Sequence, residues 1–173
     1  MRSNAGLLCV IRMHGRGKRC MTPPCRRTTL AEYPNMSALP YSGSCLCGGI
    51  AIEVHGGISA IIHCHCSRCR KSSGTAFATN GFVAREGLRI VRGAALLREY
   101  ALPSGRTRHF CGVCASPVYS ANPADPERLR LRLGILDSDI VERPVSHNFV
   151  SSRACWDDLD AVLPRYDGHE PGR

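Results

Sequence analysis

Seven cysteines in three tight clusters, Cys45-x-Cys47, Cys64-x-Cys66-x-x-Cys69 and Cys111-x-x-Cys114, are the residues of this chain best suited to chemistry. Seven thiols are one short of filling two closed tetrahedral sites. A four-thiolate zinc site is a structural staple, whereas a three-thiolate site leaves a fourth position for water or substrate. The pattern therefore predicts one completed metal site and one open one. Cys45-Leu46-Cys47 runs into Gly48-Gly49, and Cys111-Gly112-Val113-Cys114 carries its glycine inside the clip. Glycine permits the positive φ angles that turn backbone amides towards sulfur. Two such knuckles on either side of the middle strands would clamp the sheet at one metal. Spacing alone equally allows Cys66 and Cys69 to pair with Cys111 and Cys114.

The middle cluster differs in kind, because Cys64, Cys66 and Cys69 can supply three ligands from one local turn. Three thiolates on Zn²⁺ leave a net single negative charge, so the ion is a weaker Lewis acid than one on neutral histidines and suits thiol chemistry better than hydrolysis. An incoming thiol would ionise there and could attack an aldehyde carbon. Arg68, Arg70 and Lys71 surround this turn. They either hold the carboxylates of a small anionic thiol or are solvated charges that offset the anionic site. His63, His65, His109 and His147 are expected to be packed or exposed, not ligating, since His63 and His65 point away from Cys64 if that stretch is a strand. Cys155, beside Trp156 in an apolar stretch, is expected to be a buried inert thiol. Cys9, Cys20 and Cys25 have no ligand spacing.

The elements that must position these residues are short strands. Ile50, Ile52 and Val54 alternate, and the clearest period of two is Arg128-Leu129-Arg130-Leu131-Arg132-Leu133, which sends leucines to a core and arginines to solvent or an anion-binding surface. Further strands are predicted within Ile58–His65, Thr75–Val83, Leu88–Val91, Leu96–Ala101, Arg106–Phe110, Pro117–Ser120 and Val145–Val150, with turn residues between them. Cys155–Leu163 reads as a short helix stopped by Pro164.

At 173 residues the chain is long enough for one domain with a core of ordinary size. Its formal charge of +9 is concentrated at one end: residues 1–35 contain seven basic residues and only Glu32 on the acidic side. The remainder is nearly balanced, so the charge describes a tail and gives little reason to expect a nucleic-acid partner. That segment, 1–35, is expected to be a disordered extension or an overlong start, with residues 36–173 forming the zinc-binding domain. Its one apolar run, Gly6 to Ile11, is too short to span a bilayer or to serve as a secretory signal. Cys-x-Cys spacing is poor for disulfides, so reduced thiols on metal in the cytoplasm are the expectation.

Three stretches together carry a resemblance: Gly43-Ser44-Cys45-Leu46-Cys47-Gly48-Gly49, Cys64-His65-Cys66-Ser67-Arg68-Cys69-Arg70-Lys71-Ser72-Ser73-Gly74, and Arg108-His109-Phe110-Cys111-Gly112-Val113-Cys114. With Gly134 to Asp137, Pro144 to His147, Trp156 and Leu163-Pro164, they resemble the glutathione-dependent formaldehyde-activating enzyme family, which shares its domain with centromere protein V. The resemblance spans about residues 41–167. It implies a mainly β fold, a compact β-tent-like zinc-binding domain of short antiparallel strands with little helix. It implies two Zn²⁺ per chain, a structural one on Cys45, Cys47, Cys111 and Cys114 and a catalytic one on Cys64, Cys66 and Cys69. The activity implied is that of a carbon–sulfur lyase joining glutathione to formaldehyde as S-hydroxymethylglutathione. Where the family usually has Gly after Cys114, this chain has Ala115, which is strained if the position needs positive φ. A non-catalytic zinc module serving as a scaffold, with the basic tail as its contact, is the second class of function.

Overall fold

The computed structural model describes residues 40–157 and 163–172. The basic segment 1–35 lies outside the described residues, as does most of the helix expected over 155–163. The described part of that stretch, Cys155 to Asp157, is a turn in which Cys155 and Trp156 are exposed and Asp157 is buried. The expectation of a buried Cys155 is thus reversed, because the turn directs Asp157 inward against His65, 3.0 Å away.

Among the described residues ten strands and one α-helix follow in the order β1 (Tyr41–Ser44), β2 (Ala51–Val54), β3 (Ser59–Cys64), α1 (Ser67–Ser73), β4 (Ala78–Ala84), β5 (Leu88–Arg92), β6 (Leu97–Ala101), β7 (Thr107–Cys111), β8 (Pro117–Asn122), β9 (Asp125–Arg132) and β10 (Ser146–Asn148). They form a three-stranded sheet, β1-β2-β5, and a seven-stranded sheet, β10-β3-β4-β9-β8-β7-β6. Every pairing is antiparallel except β10 against β3. The fold is mainly β, as the alternating patterns predict.

The core lies where the inner faces of the two sheets meet. Ile50, Ile52 and Val54 from the β2 region pack with Ile61, Val83, Val118, Leu129 and Leu131 of the larger sheet, all nearly inaccessible to solvent. On β9 the period of two holds through Leu129 and Leu131, and Leu133 leaves the strand in a 3₁₀ turn. Gly81 sits opposite Leu131, and a Cβ there would fall 2.2 Å from Ile58 Cγ2. Only hydrogen lets the β3 hairpin close against β4 at that point.

Two elements are additional to the sequence reading. Strand β1 is too short and glycine-rich to show a pattern, and it is held by pairing with β2. Helix α1 takes up the turn expected around Cys69. Cys66 caps its N-terminus, the sulfur accepting from the Cys69 N–H at 3.4 Å, and Gly74 at φ 67° closes its C-terminus. Arg70 and Lys71 lie in the last turn, where the helix dipole favours cations.

Candidate metal centres and an arginine-lined cavity

Cys45 follows β1 and Cys111 ends β7, and the turns after them bring Cys47 and Cys114 alongside. The four sulfurs lie within 4.8 Å of one another, with Cys45 to Cys47 at 3.5 Å and Cys47 to Cys111 at 3.8 Å. A tetrahedral zinc site with bonds of about 2.3 Å requires sulfurs about 3.8 Å apart, while a disulfide requires about 2.05 Å. The spacing is that of a metal-ligand set. Backbone amides are turned to serve it: the Ile50 N–H donates to Cys45 Sγ at 3.1 Å. The Ser116 hydroxyl, then the Ser116 backbone N–H, lower the Cys114 thiol to about 5. Ser116 Oγ also accepts from the Leu46 N–H at 3.0 Å, tying the two clips together.

The second group is Cys64 at the end of β3, Cys66 at the helix cap and Cys69 one turn into α1, again within 4.8 Å of one another. Cys64 Sγ lies 3.7 Å from Cys66 Sγ. Contacts with Cys64 and Cys66 push the Cys69 thiol far below its ordinary value, helped by the charges of Arg132 and Arg108. Contacts with Cys66 and Cys69, then burial, push Cys64 far above it. Three crowded sulfurs cannot all ionise alone, and a divalent cation among them would remove that conflict. Both cysteine groups could hold a metal ion, and the Cys66 and Cys69 pair does not join Cys111 and Cys114.

The three-cysteine group opens into a cavity of about 710 Å³. Arg68 lines this cavity and a smaller neighbouring pocket. Lys71 lines the smaller pocket, and Arg70 turns away so that its Nε donates to the His65 carbonyl at 3.3 Å. The other basic residues on the cavity wall are Arg106, Arg108, Arg128, Arg130 and Arg132. The alternation on β9 signalled the last three. Arg106 and Arg108 gave no comparable signal, because their strand becomes a cavity wall only once β8 lies between β7 and β9. Arg132 is 6% exposed and its Nη1 donates to Asn80 Oδ1 at 2.6 Å. Arg128 and Arg130 both lie over the Phe82 ring, 4.8 and 5.3 Å from its centroid.

Behind the cysteine turn is a buried polar chain. His65 Nε2 is hydrogen-bonded to His147 Nδ1 at 2.8 Å, and His65 Nδ1 is 3.0 Å from Asp157 Oδ2. His63 packs on Phe77 and His147, and His109 stacks on Tyr119. None of the four histidines belongs to either cysteine group. Asp157 carried no motif that would single it out.

The fold and site define a small β domain with two cysteine groups able to bind metal. The chain belongs to the glutathione-dependent formaldehyde-activating enzyme family, whose profile matches residues 40–152. A Halomonas elongata protein provisionally named as a glutathione-dependent formaldehyde-activating enzyme is 28% identical over 129 residues, covering 69% of this chain and 80% of that protein. A crystal structure of a Rhodobacter sphaeroides protein superposes with a TM-score of 0.50 at 28% identity, covering 57% of this chain and 90% of the other. Among the described residues no helix is long and apolar enough to cross a membrane.

Proposed function

We propose that the protein is an enzyme that joins a small anionic thiol to an aldehyde at the three-cysteine group, in the manner of a carbon–sulfur lyase run in reverse. Glutathione and formaldehyde are the pair that the family's description names. The observation that carries this reading is the contrast between the two cysteine groups: four sulfurs saturate one, while the other has three and opens into a cavity. We assign Cys45, Cys47, Cys111 and Cys114 to a structural zinc, and Cys64, Cys66 and Cys69 to the catalytic one. Zinc bound there would supply the Lewis acidity that ionises an incoming thiol.

The chain's own residues would do the rest. Cys64, Cys66 and Cys69 leave one side of their cluster to the cavity, and Arg108 and Arg132 stand close enough to Cys69 to depress its pKa. Those same charges would favour a thiolate arriving beside them. Arg68, at the start of α1 and lining the same cavity, would hold a carboxylate of the thiol. Arg70 and Lys71, offered from sequence for the same task, would assist from the last turn of α1 and, for Lys71, from the smaller pocket. In the addition the sulfur bonds to the carbonyl carbon, the C=O π bond breaks, and the proton released by the thiol ends on the new hydroxyl.

The test is NMR exchange between formaldehyde and S-hydroxymethylglutathione with the zinc-loaded protein, with Cys66→Ser and with buffer. Acceleration by the intact protein alone supports the reading. Equal rates in all three samples would overturn it for this pair and favour the scaffold class.

A further inference from the structure

The arginine wall is larger than a small dicarboxylate needs, and this inference rests on the reading that the cavity at Cys64, Cys66 and Cys69 takes the substrate. Strand register aligns Arg108 of β7, Ser120 of β8, Arg130 of β9 and Phe82 of β4 in one row across the sheet. Positions two apart along a strand share a face, so Arg106 flanks that row on one strand and Arg128 and Arg132 flank it on another. Two strand spacings separate β7 from β9, roughly 10 Å, a gap that two arginine side chains can close from either side of Ser120. Arg68 of α1 lines the same cavity.

Six arginines thus line one cavity, and among the described residues lining it Asp125 is the only carboxylate. Asp125 is already engaged, 2.8 Å from Arg128 Nη2 and 3.0 Å from its Nε. Arg108 Nη1 is buried, with no hydrogen-bond partner among the described residues. A buried donor on a cation is costly unless an acceptor arrives. With Arg128 set against Asp125 and Arg130 left to its contact with Phe82, and with the single negative charge of a three-thiolate zinc site subtracted, three positive charges remain.

Glutathione fits that surplus poorly, since its two carboxylates come with an ammonium group for which the described residues of the wall offer no unengaged carboxylate. Phosphate esters and diphosphates match it well: each phosphate offers several oxygens to bidentate guanidinium contacts and carries no cation. We propose that the cavity is a binding site for a phosphate-bearing ligand of at least three negative charges, so that one of the two reactants is phosphorylated.

Inorganic pyrophosphate is the probe. Calorimetric titration of the zinc-loaded full chain should give binding at least about tenfold tighter than that of glutathione, weakening as salt rises. Arg106→Gln and Arg108→Gln should each weaken pyrophosphate about tenfold while zinc content stays unchanged and the melting temperature does not fall. Glutathione binding as tight as pyrophosphate, or folded variants with unaltered pyrophosphate affinity, would overturn the proposal. Two exchange assays then locate the phosphate: acceleration with phosphopantetheine and formaldehyde places it on the thiol, and acceleration with glutathione and glyceraldehyde 3-phosphate places it on the aldehyde. Tight, arginine-dependent pyrophosphate binding with no thiol–aldehyde exchange in any pair would uphold the phosphate site and refute the reaction. Rapid glutathione–formaldehyde exchange that pyrophosphate does not inhibit would do the opposite.

Discussion

Nδ1 of His65 lies 3.0 Å from Oδ2 of Asp157, joining the residue between Cys64 and Cys66 to the turn that follows Arg153. The carboxylate favours a proton on Nδ1, which leaves Nε2 to accept from His147 Nδ1. Asp157→Ala should therefore destabilise the domain by about 1–3 kcal/mol, and Asp157→Asn by less, because an amide keeps a polar oxygen beside the buried Nδ1. Urea unfolding of the two variants beside the parent measures the difference. Equal losses would mean that the contact is incidental.

The two cysteine groups should respond differently to substitution. Cys64→Ser or Cys69→Ser should remove about one metal equivalent and leave a folded domain, since their neighbours belong to a local helix turn. Cys47→Ser or Cys111→Ser should unfold it, because that group joins the turn after β1 in one sheet to the end of β7 in the other and its binding energy is folding energy. Metal analysis and circular dichroism on the same samples decide the matter, and identical behaviour of the two sets would refute the division of labour.

Ala115 has φ 60°, the left-handed conformation that a Cβ disfavours. Ala115→Gly should raise stability by about 0.5–1 kcal/mol, read as a higher denaturant midpoint with unchanged slope. Gly81→Ala should act in the opposite sense by about 1–3 kcal/mol, since its new methyl would meet Ile58 Cγ2.

Tyr41 donates its hydroxyl to Glu142 Oε2 at 2.9 Å, and burial followed by that carboxylate raises its pKa. Tyr41→Phe should cost about 1 kcal/mol at neutral pH. A raised folded-state pKa means that the unfolded chain loses the proton first, so Tyr41 contributes fully below pH 10.0 and its contribution fades as pH rises above that value. The gap between parent and variant should narrow above pH 10. Stability curves at neutral and alkaline pH test this, and a constant gap would exclude the linkage.

Local chemistry was legible in the chain. The cysteine clusters announced ligands because Cys-x-Cys and Cys-x-x-Cys set sulfur spacing within a single turn, and Leu129 and Leu131 announced a buried strand face because side chains alternate. The family's motifs carried the β architecture and the Gly-to-Ala change at Ala115 with them. Three things were decided by tertiary structure. Which clips share a site depended on β7 ending beside the turn after β1, a long-range register that no local spacing encodes. Arg106 and Arg108 became a cavity wall only when β8 lay between them and the arginines of β9. Asp157 gained its role because the chain returns to the back of the cysteine turn and buries a carboxylate against His65, where desolvation makes a polar partner matter.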